Sequence, residues 1–191
     1  MNEFVKLVKY MSLIMALLLI IFFFFKNIFM KLEKAILGAG CFWHIEEFFS
    51  RVKGVHATRV GYACGNTSDP NYKQVCTGKT GHVEVVEITF DSKIIKYDQL
   101  LKQFWHIHDP TSLDKQGPDT GSQYKSALCV VNQTQKEIAI NSKKEAQKKY
   151  KNKIVTIICL CKKFYNAEPY HQKYLKKNPG YMKICKVPSP I

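Results

Sequence analysis

The stretch "AILGAGCFWHIEEFF", residues 35–49, runs from a short apolar segment through Gly38-Ala39-Gly40 into a cysteine, two aromatics and a helical pattern. "KAILGAG" (34–40) predicts a strand that ends in a glycine turn. From Cys41 onward Ile45, Phe48, Phe49 and Val52 recur at helical spacing, and Gly54 supplies the stop. This unit sets a thiol at a helix N-terminus, where the macrodipole and unpaired N–H groups favour a thiolate. Gly38 and Gly40 leave the sulfur uncovered. Local reasoning leaves two readings of Cys41 open, a nucleophile or a small buried hydrophobe.

Outward from this unit, strands and helices interleave. "HVEVVEITF" (82–90) alternates as a strand does, and "SALCVV" (126–131) and "IVTIICLC" (154–161) read as two more strands. "YDQLLKQFWHIHD" carries Tyr97, Leu100, Leu101, Phe104 and Trp105 on one helical face. Residues 134–150 form a lysine-rich helix, and a short helix from Glu168 to Lys177 ends at "NPG". Few, short apolar strands among helices predict an α+β fold, a single-domain two-layer sandwich. In the first strand of this group Glu84 shares a face with Val86, Ile88 and Phe90. A carboxylate on an apolar face loses hydration, so its pKa rises and it keeps a proton to donate. The competing reading is an edge-strand glutamate that reaches solvent.

The chain has 191 residues, 46% hydrophobic, with a formal charge of +14. That length supports one domain with a proper core, and that composition excludes a disordered chain. The charge alone would suit nucleic acid, but no nucleic-acid module accompanies it, and segments such as "KKEAQKKYKNK" read as a solvated helix face. No nucleic-acid partner is expected. Seven cysteines without a regular framework predict thiols that are mostly reduced, with Cys129, Cys159 and Cys161 as apolar filler in strands. His106-x-His108 and Cys159-x-Cys161 lack structural zinc spacing, so no metal is expected.

The first thirty residues are a different material. "YMSLIMALLLIIFFFF" (10–25) is an apolar run with no small-residue cleavage site after it. It predicts an N-terminal hydrophobic helix, residues 1–30, that anchors the chain in a membrane as a transmembrane segment. The alternative is an over-extended start, since Met30 opens "MKLEKAILGAGCFW"; the chain would then be cytoplasmic.

The separated motifs carry a resemblance. "GCFW" after a strand, "GYACGNTSDPNYKQVCTGKTGHVEVVEITFD", "GPDTGSQYKSAL" and "FYNAEPYHQKYLKKNPGY" together resemble the A-type peptide methionine sulfoxide reductases, in order from Lys34 to Tyr181. The resemblance implies a ferredoxin-like core within a catalytic domain spanning 31–181. It also implies thiol-dependent reduction of the S epimer of methionine sulfoxide, in proteins and as the free amino acid, without a cofactor. Cys41 would attack the sulfoxide sulfur and become a sulfenic acid, Glu84 would protonate the oxygen, and Tyr62 and Tyr124 would hydrogen-bond it. Phe42 and Trp43 would wall the substrate methyl group, and Asp119 would help hold the site together. The partners implied are oxidised proteins and thioredoxin or a similar dithiol, acting on a monomer.

The chain departs from the pattern in places. The tail 182–191 reads "MKICKVPSPI", with Met182 where many relatives carry a cysteine. The resolving thiol is then Cys185, Cys64 (where glycine is usual), or neither. His44 replaces a usual glycine and is expected to point outward. A papain-like hydrolase is the rival enzyme reading, with His82 or His171 as the base.

Overall fold

The computed structural model describes residues 2–182 and 187–191, with the side chains of 2, 3, 5, 22–29 and 182 left aside. The chain forms two compact units, Met1–Lys31 and Leu32–Ile191. The first is a single helix, α1 (Asn2–Phe29). Among the described residues no helix is long and apolar enough to cross a membrane, which corrects the expectation of a transmembrane anchor and a membrane location.

The second unit holds the site. Its elements are β1 (Leu32–Ala39), α2 (Phe42–Ser50), β2 (Val55–Ala63), α3 (Tyr72–Cys76), β3 (Val83–Asp91) and α4 (Tyr97–His106), then β4 (Lys115–Gln116), β5 (Asp119–Thr120), β6 (Ser126–Val130), α5 (Gln133–Gln147), β7 (Ile157–Leu160), β8 (Tyr165–Asn166), α6 (Tyr174–Lys177) and α7 (Pro179–Met182). The main sheet runs β7-β6-β1-β3-β2-β8, antiparallel except for the β6/β7 pair. Strand β3 is therefore central, and Glu84 does not sit on an edge.

Alternation along the strands separates two apolar faces. Leu37, Val60, Tyr62, Val86, Ile88 and Phe90 join the main core with Phe48 and Phe49 of α2 and Leu100 and Phe104 of α4. Ile36, Ala63, Val83, Val85, Ala127 and Cys129 form a second cluster on the other face. Helices over the first face make the α+β sandwich that the pattern predicts.

Two elements differ from the sequence reading. Strand β2 is not among the strands read from the sequence, yet it pairs with β3 from Val55 to Ala63, with an irregularity between Val55 and Ala57. The helix expected from Glu168 to Lys177 forms only at Tyr174–Lys177. Upstream of it Lys173 is left-handed (φ 55°), and its N–H donates to buried Glu46 Oε2 (2.7 Å), which breaks the helical run. The Lys173 ammonium also reaches Glu46 Oε1 at 3.1 Å and the Thr58 carbonyl at 2.7 Å. One buried carboxylate thus ties α2, β2 and the segment before α6 together.

Candidate active site

Cys41 is the N-cap of α2, its backbone reached by β1 through Gly38 and Gly40. Gly40 has φ +93°, a conformation few side chains accept. A Cβ on Gly38 would stand 2.9 Å from the Glu84 carbonyl, so the close packing of β1 on β3 requires glycine there. The turn is thus set by backbone demands, and the thiol is carried on it.

Glu84 is 2% exposed, and its Oε2 accepts the Phe42 N–H at 3.1 Å. Burial raises this carboxyl, the Phe42 N–H opposes the rise, Asp119 adds to it, and the result is a pKa pushed up to about 8. The carboxyl is protonated at neutral pH, as expected. Cys41 runs against expectation. Burial raises the thiol first and the Glu84 charge second, and the Trp43 and His44 backbone N–H groups do not offset them. The helix terminus acts in the expected direction and loses to desolvation. The Glu84 contribution exists only when that carboxyl is ionised, so the proton on Glu84 also spares Cys41 a neighbouring negative charge.

The other expected residues are distributed as follows. Trp43, Asp119 and Cys41 line a cavity of about 400 Å³, together with Ile45, Phe48, Ile107 and Val187. Phe42 lies beneath this wall, 1% exposed, with its ring 5.1 Å from His171 and 6.0 Å from Tyr62. Tyr124 is pushed up to about 12 by burial and by the charges of Glu84, Asp119 and Cys41, which places its phenol among these groups. The Tyr62 hydroxyl is committed elsewhere, donating to Glu168 Oε2 at 2.9 Å. Cys185 lies outside the described residues, but Val187 and Pro188, just beyond it, line the Cys41 cavity. A larger groove of about 740 Å³ beside Trp105 and Tyr150 contains none of these groups.

Sequence reasoning missed several residues. The Tyr72 phenol is raised by burial, by a hydrogen bond with the Cys76 thiol, and by the charges of Cys76, Tyr124 and Glu84, so it belongs to the same polar group. His171, 2% exposed, accepts the Trp43 Nε1–H on Nδ1 at 3.1 Å. Burial lowers its pKa, so the ring is neutral, and an accepting Nδ1 leaves the proton on Nε2, 3.8 Å from Glu168. Glu168 also accepts the Tyr72 N–H at 2.8 Å. Burial works to raise Glu168, but these hydrogen bonds hold it below its ordinary value. Tyr174 stacks on Trp43 at 3.8 Å and 11°. The signal was present as "EPYH" followed by "KY", but nothing in the spacing showed that it would fold back on Trp43.

His44 does not point outward. A ring nitrogen of His44, the Cys41 sulfur and an Asp119 carboxylate oxygen lie within 4.8 Å of one another, a set of donors that could hold a cation. The imidazole is lowered by burial and its Nε2 has no hydrogen bond among the described residues. His82 is used structurally, with Nδ1 accepting the Gly65 N–H at 3.2 Å and Nε2 at 2.8 Å from the Thr67 carbonyl. With His82 engaged there and His171 engaged by Trp43, the hydrolase reading loses both of its bases.

A cysteine at a helix start, with a buried, raised carboxyl within its electrostatic reach and an aromatic-walled cavity, is the arrangement of a thiol enzyme. Residues 33–190 match the family profile described as peptide methionine sulfoxide reductase. A relative from Methanothermobacter thermautotrophicus, peptide methionine sulfoxide reductase MsrA, is 50% identical over 151 residues, covering 78% of this chain and 89% of that one. The crystal structure of reduced Mxr1 from Saccharomyces cerevisiae superposes with a TM-score of 0.74 at 40% identity, covering 78% of this chain and 87% of that one. Mxr1 in complex with Trx2 gives a TM-score of 0.54 at 28% identity, covering 75% and 85%. The chain belongs to the peptide methionine sulfoxide reductase family. Its activity is the thiol-dependent reduction of the S epimer of methionine sulfoxide to methionine.

Proposed function

We propose that Cys41 is the nucleophile and Glu84 the acid of this reduction. The observation that carries the assignment is the buried Glu84 carboxyl, held on the Phe42 N–H one residue from Cys41 and protonated at neutral pH. The methionine sulfoxide side chain enters the cavity against Trp43, whose ring is fixed by His171 and Tyr174. Phe42 supports that wall from below. Glu84 gives its proton to the sulfoxide oxygen as the S–O bond weakens, and the Cys41 sulfur bonds to the substrate sulfur. Methionine leaves as its bond to the Cys41 sulfur breaks and the oxygen passes to Cys41 as a sulfenic acid; the proton on that oxygen is the one Glu84 gave, and the Cys41 thiol proton returns to Glu84. Tyr124 and Tyr72 supply the phenols that stabilise the developing charge. Tyr62 acts at one remove by holding Glu168, and Asp119 borders the cavity beside Cys41.

Cys185 is the resolving thiol in this scheme. Its sulfur attacks the sulfenic sulfur, water leaves, and the disulfide formed is reduced by a dithiol. Its support is the cavity-lining position of Val187, two residues further on. The yeast relative solved with Trx2 supports a thioredoxin as that dithiol, and the family description, peptide methionine sulfoxide reductase, supports peptide-bound methionine sulfoxide as the substrate. The chain acts as a monomer.

Mixing the protein with a sulfoxide peptide without reductant tests the nucleophile. Mass spectrometry should find methionine product and one added oxygen, or a Cys41–Cys185 disulfide, on the enzyme. Cys41→Ser should give neither, and product from that variant would overturn the assignment. An acyl-thioester would instead revive the hydrolase.

A further inference from the structure

We propose that Cys64, Cys129 and Cys159 form a three-thiolate site for a cuprous ion, opened when the Cys64–Cys159 disulfide is reduced. The site lies against the sheet face opposite the main core. Cys129 belongs to the apolar cluster of Ala63, Val83 and Val85, with Cys64, Cys159 and Phe164 packed on it. The reductase site uses the other face, so these thiols have no part in the reaction proposed above.

The topology brings the three sulfurs together from distant points. Cys129 and Cys159 are paired neighbours on β6 and β7. Cys64 follows β2 and is left-handed (φ 69°), a conformation that costs a non-glycine residue and is retained where the surroundings impose it. Cys64 and Cys159 are joined as a disulfide. The Cys129 sulfur stands 2.8 Å from that of Cys64 and 3.5 Å from that of Cys159.

Those two distances decide between relay and binding site. A thiol placed for disulfide exchange lies on the extension of the S–S axis, and its distances to the two sulfurs differ by a full bond length of about 2 Å. Here they differ by 0.7 Å, so Cys129 sits beside the bond and the three sulfurs form a triangle. A triangle of sulfurs lets one ion touch all three. The donors at this place are thiols alone, which selects a soft cation. Three donors fit a three-coordinate cuprous ion, whereas zinc sites are almost always four-coordinate. Opening the site takes two electrons and two protons from a dithiol, which leaves as its own disulfide. The ion then displaces thiol protons as it binds.

The test uses the full chain with Cys41, Cys76 and Cys185 replaced by serine, reduced and freed of reductant under anaerobic conditions. Titration with Cu⁺ against a chromogenic copper chelator should show one tightly bound equivalent, with three sulfur neighbours by X-ray absorption. Cys129→Ser should weaken binding by more than about 100-fold, since even outer-shell losses cost a metal site 10- to 100-fold. Cys64→Gly, which relieves the left-handed backbone, should fold and show the same loss. Protein with the disulfide intact should not bind. Unchanged affinity in either variant, or binding by the oxidised form, would overturn the proposal. A comparable loss in Cys161→Ser, or tighter binding of Zn²⁺ than of Cu⁺, would overturn the three-coordinate assignment.

Discussion

At the residue scale the site rests on where one proton sits. Glu84 has an ordinary value of 4.5 and about 8 in the folded chain. Activity that needs this carboxyl protonated should therefore fall as pH rises through about 8, and Glu84→Gln should remove that limb while slowing the reaction ~100-fold or more. The stability linkage has a defined sign. The folded chain binds this proton more tightly than the unfolded one, so stability is lost as pH climbs from about 4.5 to about 8. The loss is at most on the order of 5 kcal/mol. Glu84→Gln, whose amide oxygen still accepts the Phe42 N–H, should thus be more stable than the parent at pH 9 and no more stable at pH 4. Denaturant melts at the two pH values measure this, and an equal difference at both would show that Glu84 is not protonated by burial. The position of Glu84 was legible because strand alternation alone puts it on the apolar face. The state of Cys41 was not: the helix terminus is visible in the sequence, while the burial that outweighs it is created by residues far along the chain.

At the element scale, the strand hardest to see is the one that assembles the site. Strand β2 hides behind polar residues because His56, Ala57 and Arg59 of its first half are exposed, and Arg59 is held by an ion pair to Glu87 of β3 at 2.7 Å. Its Gly61 marks a close approach, since a Cβ there would fall 2.2 Å from the Tyr165 carbonyl. Gly61→Ala should therefore push β8 off β2 and cost ~2 kcal/mol or more, because backbone cannot yield as a side chain can. Thermal melts would detect it, and a neutral result would mean β8 is not held against β2. The segment that follows β8 carries His171, which sets Trp43. His171→Phe keeps a buried ring but leaves the Trp43 N–H without its acceptor. We expect kcat/KM to fall ~10-fold or more through looser substrate positioning, with the pH limb of Glu84 unmoved. A shifted limb would assign His171 to proton transfer instead. "FYNAEPYHQKY" marked this segment by family likeness, yet its roles are fixed by long-range contacts that no local period encodes.

Across the whole molecule, the described end of the tail returns to the cavity beside Cys41. Ile191 donates its N–H to Gln103 Oε1 at 3.0 Å, and the Gln103 amide donates back to the Ile191 carbonyl. Gln103 lies on α4, whose apolar face Leu100 and Phe104 give to the core, so the end of the tail is pinned to a rigid element. Between that pin and α7 the chain passes Val187 and Pro188 in the Cys41 cavity, with Cys185 just upstream. In the proposed scheme the resolving step is intramolecular, and short tethers give effective concentrations in roughly the millimolar range, above that of a dilute external reductant. Cys185→Ser should accordingly leave the first turnover intact and abolish thioredoxin-driven recycling, while a small thiol in large excess restores slow turnover. Single-turnover and steady-state assays run side by side separate the two steps. Full steady-state activity in this variant would remove Cys185 from the cycle. Cys64 would not replace it without first leaving its bond to Cys159, because the sheet stands between that pair and the reaction.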